Sequence, residues 1–146
     1  MLHLNFMAEM YQEQVDEDHY FLHGHPRWAT SWAVASIERL LAIPSVGLLR
    51  GYQCQYGAEI QNGPNRGDAI VKPTGFMSNS EAVLEELSRR CEGTNGFCSW
   101  RSRTAAATFK KHSSCTGRHA KEASRYPRGL CRAMPRGVAK QLRRVG

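Results

Sequence analysis

Tyr20-Phe21-Leu22-His23-Gly24-His25-Pro26-Arg27-Trp28-Ala29-Thr30-Ser31-Trp32 sets the terms for the whole chain. A short apolar run stops at a His-Gly-His-Pro corner, and a polar, tryptophan-bearing segment follows. Glycine and proline are strong backbone punctuators, so His19 to His23 reads as a strand ending in a tight, shaped loop. The ends of buried strands are where α/β proteins place binding or chemical groups.

Working outward from that corner, Asn5 is positioned to cap a preceding helix that runs to about Asp18. Phe6, Met7, Met10, Tyr11, Gln14 and Val15 recur in it at three- and four-residue steps. Asp16 to Asp18 fall at its negative end, so this helix should fray early or depend on packing. On the other side, Ser31 is a plausible N-cap for a helix carrying Val34, Ile37, Leu40 and Leu41, which Pro44 stops. Val46 to Cys54 reads as a strand and Gly57 to Gly67 as a loop. Ala69 to Val71 is a candidate short strand. Lys72-Pro73-Thr74-Gly75 is a turn before another strand, Phe76 to Ser78. Asn79 or Ser80 then caps a helix through Cys91, with Val83, Leu84 and Leu87 inward and Glu81 in its first turn. Residues 93–117 mix Gly, Ser, Thr, Arg and Lys with few apolar side chains and read as a loop or poorly ordered insertion. A last helical region, about Pro127 to Val145, places Leu130, Met134, Val138 and Leu142 on one face. Pro135 interrupts it, at ~3 kcal/mol in a regular helix. The expected organisation is a single α/β domain over 1–92 and 118–146, a small sheet flanked by helices and interrupted by that insertion.

The totals bound the function. A chain of 146 residues is one domain by size. No apolar run approaches the ~18 residues that span a bilayer, so no membrane partner is expected. The acidic N-terminal region lacks the order of a signal peptide, and the five cysteines lack the spacing of a disulfide framework. Both point to an intracellular location, cytoplasmic or nuclear. Charge is unevenly placed. Residues 1–60 hold three basic and seven acidic side chains, whereas 61–146 hold 17 basic and six acidic ones. A basic half of this kind attracts polyanions, nucleic acid foremost, although a solvated helix face gives the same count.

Three His/Cys groupings carry candidate chemistry. His23 and His25 flank Gly24 and could serve a metal or a proton transfer, or simply shape the loop. Cys98, His112, Cys115 and His119 are ligand types that zinc favours, at a spacing that matches no common finger. Cys54, before Gln55-Tyr56-Gly57, is either a nucleophile or an inert buried thiol. Tyr20, Trp28, Trp32, Tyr52, Tyr56 and Phe76 either stack on bases or fill a core. Phosphate-loop, nucleophile-elbow and dinucleotide-binding motifs do not occur.

Several blocks share an order with a known family. The opening segment, then Gln53-Cys54-Gln55-Tyr56-Gly57, Lys72-Pro73-Thr74-Gly75-Phe76-Met77-Ser78-Asn79, Leu87-Ser88-Arg89-Arg90-Cys91 and Tyr126-Pro127-Arg128-Gly129-Leu130-Cys131 resemble a non-polymerase region of copia-like retrotransposon polyproteins of algae and fungi. The same order is similar to the later half of phage-type cytosine-5 DNA methyltransferase-like proteins, which implies a partial Rossmann-like fold. On that alignment His23-Gly24-His25-Pro26 lies where a Glu-Asn-Pro loop would be. Gly24 takes the place of an acid, and His25 that of an Asn. The cofactor loop and cysteine nucleophile that base methylation needs have no counterpart here.

The resemblance therefore implies a non-catalytic, nucleic-acid-associated accessory domain of a mobile-element polyprotein, with no cofactor and no resident metal. Its partners would be DNA or RNA and the rest of the polyprotein. Lys72, Arg89, Arg90, Lys110, Lys111, Arg118 and Arg125 are the candidate phosphate contacts. His23, His25, Cys54, Thr74 and Asn79 are the candidate lining of a remnant pocket. The alternative is half of a methyltransferase-like enzyme whose partner supplies the S-adenosylmethionine site.

Overall fold

The computed structural model describes residues 2–101, 109–114, 120–121 and 124–146. Its central strand is β3 (Pro73–Ser78), flanked by β1 (Leu22–Pro26) and β2 (Gly47–Tyr52). Both pairings are antiparallel, with Gly24 and Leu49 opposite Phe76. Side chains alternate across a strand, so β3 serves both faces of the sheet. Phe76 packs with Tyr56, Val83, Leu84, Leu87, Leu130 and Ala133 on one side. Met77 packs with Ala8, Phe21, Ile37, Leu40 and Val46 on the other. Helices α3 (Glu81–Leu87) and α4 (Arg128–Val145) bring the first set, and α1 (Leu2–Asp16) and α2 (Ala35–Leu41) bring most of the second. The result is a three-layer arrangement of helices, sheet and helices.

The α/β class stands, and the order helix, strand, helix, strand, strand, helix holds as far as α3. The Rossmann-like refinement has no parallel pair among the named strands to rest on, whereas a doubly wound sheet is parallel.

Several local expectations are corrected. The strand expected over His19 to His23 lies instead at Leu22–Pro26, so His-Gly-His is strand rather than loop. Pairing with β3 supplies the hydrogen bonds that extend it, and Arg27 N–H continues the ladder to the Pro73 carbonyl at 3.0 Å. The Lys72-to-Gly75 turn contracts to Lys72, whose φ of 33° is left-handed, and Pro73 already belongs to β3. Ala69 makes only isolated bridges. Asn5 sits inside α1 and accepts a bond from Ser36 Oγ at 2.8 Å. Ser31 caps nothing: it lies in a one-turn 3-10 helix (Thr30–Ala33), and its hydroxyl is buried without a partner.

Helix α3 ends at Leu87, four residues earlier than its composition suggested. Tertiary bonds pull the chain off the helix there. Arg89 N–H donates to Tyr56 Oη at 3.2 Å, and the Arg89 carbonyl accepts from Tyr52 N–H at 2.8 Å. Its start is as expected, with Ser80 Oγ accepting from Val83 N–H.

Helix α4 runs straight through Pro135. Both Pro135 and Cys131, whose carbonyl loses its donor, are exposed, so water can replace the missing bond. The inward stripe is also different from the expected one. Leu130, Ala133 and Gly137 are buried, whereas Val138 and Leu142 are 41% and 55% exposed. Small residues win because α3 lies so close: a Cβ on Gly137 would stand 2.6 Å from Val83 Cα.

Part of the span expected to be a poorly ordered insertion is a two-stranded antiparallel sheet, β4 (Phe97–Arg101) with β5 (Phe109–Lys111). Its low apolar content misled because its few contacts are made at a distance. Ala69 N–H donates to the Lys111 carbonyl, and Cys98 is buried with Cys54 and Ala69.

Candidate functional site

The five residues expected to line one pocket separate into different environments. His23 is buried on β1, with its Nδ1 3.0 Å from Tyr11 Oη and its ring stacked on His25. Burial, and secondarily the neighbouring His25, hold its pKa below the usual histidine value. Thr74 is buried and accepts from Gln53 Nε2 at 2.9 Å. Asn79 ties the chain together, accepting from Phe21 N–H and donating to the His19 carbonyl. Thr74 and Asn79 lie at opposite ends of β3, roughly 16 Å apart at strand rise. Cys54 lies with Cys91, Cys98 and His112. Pro26 is in register with Thr74, so the end of β1 lies beside the Lys72 corner.

The expected phosphate contacts also divide. Lys110 is ion-paired to Glu59. The Arg89 guanidinium lies over the Tyr56 ring at 5.4 Å. Lys111 is exposed on β5, and Arg125 borders a cleft of about 440 Å³ together with Tyr126 and Arg128. Lys72 lies at the left-handed corner before β3, and Arg118 lies outside the described residues. Arg90 alone of these joins a second cleft.

That cleft, about 220 Å³, is lined by Arg27, Trp32, Leu48, Leu49, Arg50, Gly75 and Arg90, with no carboxylate among the described residues that line it. Trp32 packs against Gly75, where a Cβ would stand 2.7 Å from the indole, and its Nε1 donates to the Pro26 carbonyl. Beside it Trp28 is 78% exposed, with the Arg27 and Arg50 guanidinium carbons 4.7 and 5.9 Å from its ring centre. The Nε atoms of Arg27 and Arg50 are buried with no hydrogen-bond acceptor. Three arginines converge on this cleft, an arrangement that suits an incoming anion. Of the six aromatic candidates for stacking, Trp28 is exposed, whereas Tyr56 and Phe76 are core. Arg27 and Arg50 escaped notice in the sequence because they belong to the acidic half. The Arg27-Trp28 pair was the signal that could have found them.

The thiols form a second constellation. Cys54 follows β2 in a one-turn 3-10 helix (Gln53–Tyr56), Cys91 follows α3, Cys98 is on β4 and His112 follows β5. Their ligand atoms all lie within 4.8 Å of one another. Cys98 and His112 belong to the candidate grouping read from the sequence, which also held Cys115 and His119, residues outside the described ones; Cys54 and Cys91 were not in it. Burial pushes the Cys54 thiol up, the opposite of what an activated nucleophile needs. At Cys91 burial also raises the pKa, but hydrogen bonds from the Ser99 and Gly93 backbones and the Ser99 and Cys98 side chains outweigh it, leaving about 7.

Comparison with family models, curated proteins and solved structures finds no match to this chain. Among the described residues no helix is long and apolar enough to cross a membrane.

Proposed function

We propose that this chain is a non-catalytic domain that binds single-stranded nucleic acid, and that it belongs to a mobile-element polyprotein. The polyprotein origin rests on the ordered sequence blocks alone. The binding mode rests on one observation: the exposed Trp28 is flanked by Arg27 and Arg50, which line a cleft together with Arg90. An exposed indole beside two guanidinium groups is the chemistry of sequence-tolerant single-strand recognition. Duplex recognition has less support, because among the described residues the cations of the cleft come from strands and their flanks and not from one helix. The methyltransferase-half alternative is weaker still, since the named strands pair antiparallel.

The basic balance of the second half contributes less than its count suggests. On α4, Arg136 and Lys140 pair with Glu86, and Arg144 pairs with Glu85. Three of its cations are therefore committed to α3.

Fluorescence anisotropy with a labelled single-stranded oligonucleotide tests the reading. Binding should weaken as salt rises, by a log–log slope of about −0.7 for each phosphate contacted. Trp28→Ala should cost about 1–3 kcal/mol of binding with little change of slope, and Arg50→Ala should flatten the slope by roughly one contact. Absence of binding at low salt, or binding indifferent to both substitutions, overturns the proposal.

A further inference from the structure

The geometry points to a structural zinc site formed by Cys54, Cys91, Cys98 and His112, independent of the nucleic-acid reading. Three features carry it.

The first is the ligand spacing. With Zn–S of about 2.3 Å and Zn–N of about 2.0 Å, a tetrahedral site has S···S edges of about 3.8 Å and S···N edges of about 3.6 Å. Cys91 Sγ is 3.9 Å from Cys98 Sγ and 3.6 Å from His112 Nε2. All four ligand atoms fall within 4.8 Å. Sulfurs 3.9 Å apart are not bonded, since a disulfide needs about 2.05 Å.

The second is the set of donors aimed at sulfur. Gln55 Nε2 donates to Cys54 Sγ and Cys98 Sγ at 3.6 Å each, Trp100 N–H to Cys98 Sγ at 3.3 Å, and Ser99 Oγ to Cys91 Sγ at 3.6 Å. Such bonds orient thiolates and offset their charge, as outer-shell partners do in metal sites. Three thiolates, one neutral imidazole and Zn²⁺ leave a net charge of −1, which these N–H and O–H dipoles face. Loading the site releases the thiol protons to solvent.

The third is what the four residues join. They come from four separate segments: the end of β2, the exit of α3, β4, and the end of β5. The β4–β5 sheet has a small core of its own, Cys54, Cys98 and Ala69 with Tyr52, Cys91 and Trp100 around it. A four-ligand clamp supplies what that core lacks. Four protein ligands fill all four positions of a tetrahedron, two of them buried (Cys54 and Cys98) and two half-buried (Cys91 and His112). A closed set of this kind is structural; a catalytic zinc keeps one position open. Thiolate and imidazole ligands at tetrahedral spacing suit zinc over magnesium or calcium.

Elemental analysis of the full chain, purified without chelator, tests the assignment. Near-stoichiometric zinc is expected, and cobalt substitution should give thiolate-to-cobalt charge transfer with tetrahedral visible bands. Cys91→Ser should lose the metal, whereas Cys131→Ser, Cys115→Ser and His119→Gln should keep it. His112→Cys completes the same set and should retain zinc with an altered cobalt spectrum, which separates ligation from mere folding. A wild-type chain that takes up no zinc, another metal in its place, or a Cys91–Cys98 disulfide in mass spectrometry overturns the proposal. So does full occupancy in Cys91→Ser, or loss of zinc in Cys115→Ser or His119→Gln.

Discussion

His23 illustrates how a residue singled out for chemistry becomes part of the packing. Its imidazole is enclosed by Tyr11, His25 and the edge of Trp32, and burial keeps it neutral. A histidine whose folded pKa is depressed contributes stability that is fully present above about 6.5, the unfolded value, and is lost as pH falls through the folded value. Melting temperature should therefore fall between neutral pH and pH about 5. His23→Gln should show a smaller fall over the same range; an undiminished one would place the sensitivity elsewhere. Ser80 is the counterpart that was legible beforehand. A hydroxyl three residues ahead of a helical N–H is a local relation, and the structure shows Ser80 Oγ bonded to Val83 N–H and to Gln141 Oε1. Ser80→Ala should cost about 1–2 kcal/mol, read from the urea midpoint at unchanged m-value.

Among elements, the α3–α4 packing makes the sharpest demands. Gly137→Ala would gain about 1 kcal/mol of helix propensity, against roughly 1–3 kcal/mol for overpacking. The clash wins because the opposing atom, Val83 Cα, is backbone and cannot rotate away. Net destabilisation is the expected outcome in chemical unfolding. Pro135→Ala should do the reverse. It restores a backbone bond on the exposed face, leaves the core packing untouched, and should stabilise by about 2 kcal/mol. Glu86 anchors the same pair of helices. Lys140 and Arg136 hold its carboxyl below the usual carboxylate range against the opposing effect of burial. Its share of stability is thus present at neutral pH and disappears only as acid reaches that lowered value. The composition of α4 showed an amphipathic helix but aligned its face on the largest apolar side chains. Which stripe turns inward was decided by how near α3 comes, and that distance is set by residues some fifty positions upstream.

For the molecule as a whole, the zinc clamp predicts a graded response to chelation. Amide protection should fall first in Phe97–Arg101 and 109–111, whose contacts converge on the cysteine cluster, and last in α3 and α4, whose core is larger. Hydrogen exchange with and without chelator checks this, and a uniform loss of protection would contradict it. Cys91 follows Arg90 directly, so release of the metal should also loosen the corner that brings Arg90 to the tryptophan cleft, weakening nucleic-acid binding.

What the sequence settled by itself was local: the succession of elements as far as α3, the Ser80 cap, and the inward Val83, Leu84 and Leu87. Each depends on neighbours a few residues apart. The tertiary structure alone decided that His-Gly-His is strand, that α3 stops at Leu87, that arginines from the acidic half hold the cleft, and that Cys54 and Cys91 meet Cys98 and His112. These depend on residues tens of positions apart. Their proximity follows from strand register and helix packing, which periodicity and spacing along the chain do not encode.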